Sequence, residues 1–480
     1  MQETEPGREL REQKGFPAPF QGAGGSRFGI QGRRSACPWL ISGALAGPSK
    51  GRGRILSHTR SQPFGESDGG RVSVPSPDAC ARRRGRRSAP SPPGRHFPSA
   101  KKLAPAAFPR HFQAVHLAHL RLRDFRNYAR LDVDFAPGFQ LLLGDNAQGK
   151  TNILEAVYLM ATLRSFRGVG GAQMIRHGQK GYFVGGQVVG QGEHEIKMYW
   201  AARERNLTLD GQPVKKLGNF LGTLRTVVFC TEDLELVKGA GRSRRRFLDL
   251  LLAQTNPGYL PLLQRYMHTV RARNALLKQR SADEAALDGF SRELVAAGDQ
   301  LIRWRTELVP RFSPLARLAY RRISNDAEEL RMEYQPSVKH DFALELAQAR
   351  ARERSQRLTL VGPHRDELQL LVNEKSAAQY GSEGQKRTLA IALKMAQAEY
   401  LAGIHGSAPV LLIDDVMGEL DVKRRGGLLP LLEQARKTSG QVFMTCTEEN
   451  WPRELGRELC RWEVRAGGVK GGLPFRSAAD

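Results

Sequence analysis

Residues Gly144 to Thr151 read GDNAQGKT, a complete G-x-x-x-x-G-K-[ST] phosphate-loop pattern. The apolar run FQLLL precedes it, and Lys150 to Leu163 is long and apolar enough for a buried helix. That strand–loop–helix context is what the chemistry needs. The backbone N–H groups of Gly144, Asp145, Asn146, Ala147, Gln148 and Gly149, with the helix N-terminus behind them, can surround phosphate oxygens, and the helix dipole favours negative charge there. Lys150 would reach β- and γ-phosphates, and the Thr151 hydroxyl would hold Mg²⁺. A chance glycine turn is a poor rival to eight matching residues in the right setting.

Two further stretches could act on that phosphate. VLLIDD (410–415) is a buried-strand run ending in paired carboxylates. Asp414 at the strand end can bind the magnesium through its water shell, and Asp415 can polarise an attacking water. Alone, two adjacent acids suit a solvated turn almost as well; the apolar run and the phosphate loop together favour the chemical reading. In YGSEGQKRTLAIALKMAQAEYL, Ser382 is placed to cap a helix whose apolar Leu389, Leu393, Ala396 and Tyr400 share one face. A capped amphipathic helix is ordinary. The Ser-x-Gly-Gln core is less so: Gly384 permits close backbone approach, which makes this helix N-terminus a second anion site.

These residues must be positioned by elements whose patterns are legible. LRLRDF and LDVDF alternate as half-buried strands do, with RNYAR able to turn between them. FQLLL suits a strand buried on both faces. Residues 181 to 229 read as further strands with turns at GQGEH and LDGQP, and residues 244 to 354 have a helical, charge-rich periodicity. The expected organisation is a nucleotide-binding lobe over 115–243 with the phosphate loop, an inserted helical arm lobe over 244–354, and a second part of the nucleotide domain over 355–480 with the Ser-x-Gly-Gln and paired-acid motifs. Residues 1 to 114 differ: they hold 14 of the 26 prolines and runs such as ARRRGRRSAPSPPGR, without apolar periodicity. They read as a disordered basic extension, or as upstream sequence translated from a misassigned start, with Val115 opening the domain.

The net charge of +25 divides evenly. Residues 1–114 carry 20 Lys+Arg and 7 Asp+Glu, or +13; the remaining 54 and 42 give +12. The folded part thus has a moderate basic surplus, compatible with phosphate-backbone binding or with a merely basic surface. Five scattered cysteines (Cys37, Cys80, Cys230, Cys446, Cys460) suggest neither a disulfide framework nor a zinc site. With no membrane-length apolar run and no secretory signal core, the expected compartment is the cytoplasm, with no membrane partner.

Phosphate loop, Ser-x-Gly-Gln, paired acids and then GELD occur in the order of ABC-type ATPases. The resemblance narrows to the RecF family of DNA replication and repair proteins, through LRLRDFRNY, LEAVYLMATLRSFRG, RRRFLD, LVGPHRDEL, GSEGQKRTLAIALK and VLLIDDVMGELD, over about residues 115 to 470. It implies an α/β ABC-type head with a compact arm, far shorter than the coiled coils of SMC proteins. Gly144, Asn146, Gly149, Lys150 and Thr151 match the family's nucleotide loop, and Ala147 stands where many ABC ATPases have Gly. Ser382, Gly384 and Gln385 match the signature that contacts the partner subunit's ATP, with Glu383 in place of a usual second glycine. Asp414 matches the magnesium-associated acid. Asp415 stands where most ABC ATPases carry Glu, which suggests slow turnover. Glu419 and Asp421 match the segment that communicates across the dimer, and either Thr445 or Thr447 occupies the switch region.

The resemblance also implies function: an ATP-dependent homodimer that binds double-stranded and gapped DNA or single-strand/double-strand junctions, hydrolyses ATP slowly, and works with RecO and RecR to load RecA. Two readings fit Arg244, Arg245 and Arg246 equally, DNA-phosphate contacts and a solvated helix start. His364, with Arg365, is assigned a structural or interdomain role rather than catalysis. Two other classes stay open, the ATP-binding subunit of a membrane transporter and a non-hydrolysing DNA-binding protein.

Overall fold

The computed structural model describes residues 115–474, except 280, 282, 325–327, 417–421, 439 and 448–458; the extension 1–114 and the positions Glu419 and Asp421 lie outside the described residues. The chain opens as a hairpin of β1 (His116–Phe125) and β2 (Tyr128–Asp134). Leu120, Leu122 and Phe125 point into the core, and so does Leu117, because the pairing of β1 with its other neighbour shifts between Leu117 and His119. β3 (Phe139–Leu143) leads through the phosphate loop into α1 (Lys150–Thr162). β4 (Gly181–Val189), β5 (Glu193–Ala201), β6 (Arg205–Leu209) and β7 (Gln212–Pro213) extend the first hairpin into an antiparallel sheet of order β2-β1-β4-β5-β6-β7. The LDGQP turn joins β6 to β7 with Asp210 and Gly211 both at positive φ, as a two-residue hairpin turn demands.

After the short α2 (Leu217–Phe220) comes β8 (Thr226–Phe229), then α3 (Glu235–Lys238), α4 (Gly241–Thr255), α5 (Tyr259–Leu277) and the 41-residue α6 (Glu284–Ser324). β9 (Leu330–Gln335), α7 (Phe342–Gln356), β10 (Glu367–Val372), β11 (Lys375–Ser376) and α8 (Ala377–Tyr380) follow. The chain then forms α9 (Glu383–His405), β12 (Val410–Asp414), α10 (Val422–Lys437), β13 (Val442–Cys446), β14 (Leu459–Arg465) and β15 (Gly468–Pro474). The stretch 244–354 is mainly helical, but it also holds β9, whose ladder runs to β10 beyond residue 354.

The second six-stranded sheet has the order β15-β14-β3-β13-β12-β8, parallel except for its edge strand β15. Its central strands FQLLL, VLLID and VFMTC are buried almost throughout, as parallel strands covered on both faces must be. Chain segments distant in sequence thereby end side by side: Asp414 pairs with Thr445, and Cys446 with Leu143.

α9 departs from the one-faced helix expected from Leu389, Leu393, Ala396 and Tyr400. Residues 388–398 are all buried, and Tyr400 is only half-buried. The reason is a second layer: α9 packs on β8 and α4, and α6 and α10 also lie against it. A helix enclosed in this way has no face to leave polar.

Candidate nucleotide site

The phosphate loop is built by glycines at both ends. Gly144 has φ +149, and a Cβ there would lie 2.3 Å from the Val464 carbonyl oxygen. Gly149 has φ +119, and its Cβ would meet the Asn127 amide and the Tyr128 hydroxyl at 2.7 Å. Ala147, where other ABC ATPases often use glycine, is left-handed at φ +65, so the loop carries a local conformational cost that glycine would avoid. The Lys150 ammonium folds back into the loop, donating to the carbonyls of Gly144 at 2.6 Å and Asp145 at 2.9 Å. A cation therefore stands at the middle of the backbone cradle.

The loop is braced from outside by residues whose role was not apparent from their types. Asn127, in the β1–β2 turn, donates to the Gln148 carbonyl at 2.8 Å and accepts from Asn152 at 2.8 Å. The Tyr128 hydroxyl donates to the Gly149 carbonyl at 3.1 Å. From the β14–β15 turn, the Ala466 N–H reaches the Gln148 side-chain oxygen at 2.6 Å and the Gly467 N–H its carbonyl at 3.2 Å. Arg126 anchors the turn itself through a two-pronged bond to Glu155 on α1, both contacts 2.7 Å, and the Ser165 hydroxyl donates to the same buried carboxylate. The RNYAR stretch, read only as a turn, is thus a bracket on the phosphate loop. Its signal in the sequence was a polar Asn-Tyr pair inside an otherwise alternating strand pattern.

Sheet register brings the remaining groups to the loop's mouth. The Thr151 hydroxyl donates to Asp414 at 2.8 Å, and the Thr445 hydroxyl donates to the same carboxylate oxygen at 3.0 Å. The Asp415 N–H in turn donates to Thr445 at 2.9 Å. Burial raises the Asp414 pKa, the Thr151 and Thr445 hydrogen bonds oppose the rise, and the charges of Asp415 and Glu232 add to it. Asp415 sits at φ +56, an uncommon conformation for aspartate that turns the chain sharply after the strand. Of the two threonines left open by the sequence, Thr445 is the one bonded to both acids; Thr447 is exposed beyond the strand. A hydroxyl and a half-buried carboxylate sharing one bond form an all-oxygen donor set that suits a hard divalent cation such as Mg²⁺.

At the signature turn, Ser382 caps α9 as expected. Its Oγ accepts from the Gln385 N–H at 3.1 Å, and Gln385 Oε1 accepts from the Ser382 N–H at 2.7 Å, a reciprocal capping box. Gly384 is half-buried behind it. Glu383, the residue in place of a usual glycine, is paired with Lys238 and lies near Lys386; these cations lower its pKa.

The arginine run divides: Arg244 and Arg245 are tied into the fold, and Arg246 is exposed. Arg244 is committed inward: it binds Glu367 through Nε at 2.7 Å and Nη2 at 3.0 Å, and Nη1 donates to the Gly239 carbonyl at 2.7 Å, closing the end of α3. Arg245 donates to the Asp366 carbonyl at 2.6 Å. Arg246 is exposed, with one weak bond to the Ser165 carbonyl at 3.4 Å. His364 fits its structural assignment. Its Nδ1 lies 2.6 Å from the Tyr266 hydroxyl and its Nε2 3.1 Å from the Thr359 carbonyl, and burial lowers its pKa to about 4. Arg365 donates to that same carbonyl at 3.4 Å.

A phosphate loop on a parallel sheet, a strand-end acid bonded to the loop's threonine, and a capped signature helix define an ABC-type ATPase head. The family model described as RecF/RecN/SMC N terminal domain matches residues 116–464. Proteins named DNA replication and repair protein RecF are similar over most of their own length: that of Symbiobacterium thermophilum is 39% identical over 371 residues, 74% of this chain and 98% of the relative. That of Lactobacillus gasseri is 35% identical over 373 residues, 74% of this chain and 99% of the relative. Among solved structures, the recombination mediator RecF with ATP, described as part of the RecFOR pathway, superposes with a TM-score of 0.69 at 30% identity, covering 75% of this chain and 99% of that one. The chain belongs to the RecF family of DNA replication and repair proteins.

Proposed function

We propose that this protein is an ATP-switched DNA clamp in which one triphosphate is held by two copies of the chain. The observation that carries the reading is the Thr151–Asp414–Thr445 cluster, which joins the phosphate loop to two strand ends far away in sequence. Lys150 and the loop N–H groups bind the triphosphate of their own chain. Ser382, Gly384 and Gln385 present the N-terminus of α9 to the triphosphate of the partner. Thr151 and Asp414 are the residues that would hold Mg²⁺, which supplies charge neutralisation for the phosphates when bound. Asp415 orients the attacking water. Its side chain is shorter than glutamate and its backbone is left-handed, which supports slow hydrolysis; DNA stimulates it.

ATP favours the closed pair because contacts from α9 exist only there, which is the differential affinity a switch requires. Closure forms the basic surface for double-stranded and gapped DNA, and hydrolysis releases it. Arg246 is the member of the arginine run open enough to reach such DNA. The pathway in which the solved relatives are described supports RecO and RecR as partners. A cytoplasmic site of action goes with this reading, and among the described residues no helix is long and apolar enough to cross a membrane.

The test is gapped-DNA binding with and without ATP, beside sedimentation of the wild type, Lys150→Ala and Ser382→Arg. The wild type should dimerise and bind DNA only with ATP. Lys150→Ala should lose nucleotide and turnover. Ser382→Arg should keep nucleotide yet remain monomeric. A normal ATP dimer of Ser382→Arg, or DNA binding indifferent to ATP, overturns the proposal.

A further inference from the structure

The capping box of α9 has an unusual extension. An amide side chain can sit in either of two flipped orientations, and only one of them presents Gln385 Oε1 to the Ser382 N–H. The other end of that amide decides which. Gln385 Nε2 donates to Glu328 Oε1 at 2.6 Å, and a carboxylate only accepts, so the flipped amide would set oxygen against oxygen. The second oxygen of Glu328 accepts from the Tyr320 hydroxyl, on the last turns of α6 and fully buried. The Glu328 backbone neighbour is fixed as well: the Glu329 N–H donates to Asn373 Oδ1 at 2.8 Å, and the Asn373 N–H returns a bond to the Glu329 carbonyl at 2.9 Å. Further along the helices, Arg322 of α6 meets Glu399 of α9 at 2.8 Å. The carboxylate is therefore a fixed post, not a swinging surface acid.

We propose that Glu328 is a positioning residue of the signature turn: its carboxylate sets the orientation of the Gln385 amide and ties the turn to the end of α6. Whatever shifts α6 then shifts the turn that must meet the partner's triphosphate. Sites that act across an interface need their groups held within a fraction of an ångström, and a second layer of hydrogen bonds is what holds them. Lys238, paired with Glu383 on the other side of the turn, keeps that carboxylate accompanied by positive charge. The proposal rests on the two-chain reading above.

The experiment compares wild type, Glu328→Ala and Glu328→Gln in the full chain. It measures fluorescent-ATP affinity under dilute, monomeric conditions, ATP-dependent dimerisation by ultracentrifugation, and thermal melting. Glu328→Ala should bind nucleotide within about twofold of wild type yet dimerise about tenfold more weakly, the usual effect of losing one hydrogen bond to a charged group. Glu328→Gln keeps an accepting oxygen for Gln385 and a partner for Tyr320, so dimerisation should return to within about twofold. Wild-type dimerisation by Glu328→Ala overturns the proposal. So does equal failure of Glu328→Gln, or a parallel loss of nucleotide affinity in Glu328→Ala, either of which makes the residue merely structural. A wild type that stays monomeric with ATP overturns the two-chain reading itself, and this proposal with it.

Discussion

The polar clusters around Arg305 and around Asp414 are balanced in opposite ways. Around Arg305, a guanidinium is enclosed by Asp249 at 2.7 Å and Asp366 at 2.9 Å, with the Tyr259 hydroxyl at 3.2 Å and the Pro363 carbonyl at 2.6 Å. Burial opposes that charge, but Asp249 and the other partners overcome it and hold the pKa well above the usual value. Around Asp414, the carboxylate's donors among the described residues are the hydroxyls of Thr151 and Thr445, with Asp415 and Glu232 adding like charge. In the first cluster both carboxylates bond the guanidinium, and with the Tyr334 hydroxyl donating to Asp366 it joins α4, α5, α6 and β9 with the segment before β10. The second is an acid cluster with no basic side chain among its hydrogen-bond partners in the described residues, the arrangement expected of a site that takes up a cation.

The comparison breaks most visibly at Arg305. Replacing it with methionine fills the space but leaves the buried Asp366 and the half-buried Asp249 without their cation, and should cost about 3–5 kcal/mol of folding stability. Chemical denaturation followed by circular dichroism measures it. A loss below about 1 kcal/mol means the network is not structural and the contrast fails.

How much of this was legible beforehand follows the same division. The phosphate loop is contiguous, and its glycines are required by φ values that are local to it, so Gly144 to Thr151 declared themselves. The strands FQLLL and VLLIDD were readable because burial on both faces demands unbroken apolar runs. Thr445 could not be separated from Thr447: both are small hydroxyl residues at one strand end, and only the pairing of Asp414 with Thr445 sets Thr445 beside the acids. Arg305 looked like any charge on a polar helix, since its partners lie 56 and 61 residues away. Arg244 was read as facing outward for the same reason, its partner Glu367 being 123 residues distant. The full burial of α9 was hidden because its covering helices come from elsewhere in the chain. Long-range polar pairing leaves no periodic trace.

His364 sharpens the comparison from the structural side, with a smaller effect confined to a pH window. Its pKa is lowered to about 4 in the fold, against about 6.5 for an unfolded histidine. A depressed folded pKa means the unfolded chain takes up the proton first, so the contribution is intact above about pH 6.5 and is lost as pH falls towards 4. Integrated over that interval the loss approaches about 3 kcal/mol. Melting curves from pH 7 to pH 4.5 should fall more steeply for the wild type than for His364→Gln. Parallel curves exclude a neutral buried imidazole bonded to Tyr266 and Thr359.

The smallest effect, and the most diagnostic, has the opposite sign. Asp414 has its pKa raised chiefly by burial, so at neutral pH the fold disfavours the charge that the site must carry. Asp414→Asn removes that charge while keeping an oxygen that can accept from both Thr151 and Thr445. Without nucleotide, the variant should be more stable than wild type by about 0.5–1 kcal/mol, the gain often found on relieving strain at a functional site. Its magnesium-dependent ATP turnover should be lost at the same time. Gain in stability with loss of turnover is what separates a cluster kept for binding a cation from one kept for holding helices together. Destabilisation of Asp414→Asn on the scale of Arg305→Met would place both clusters in the structural class, and the magnesium assignment of Thr151 and Asp414 would fall with the distinction.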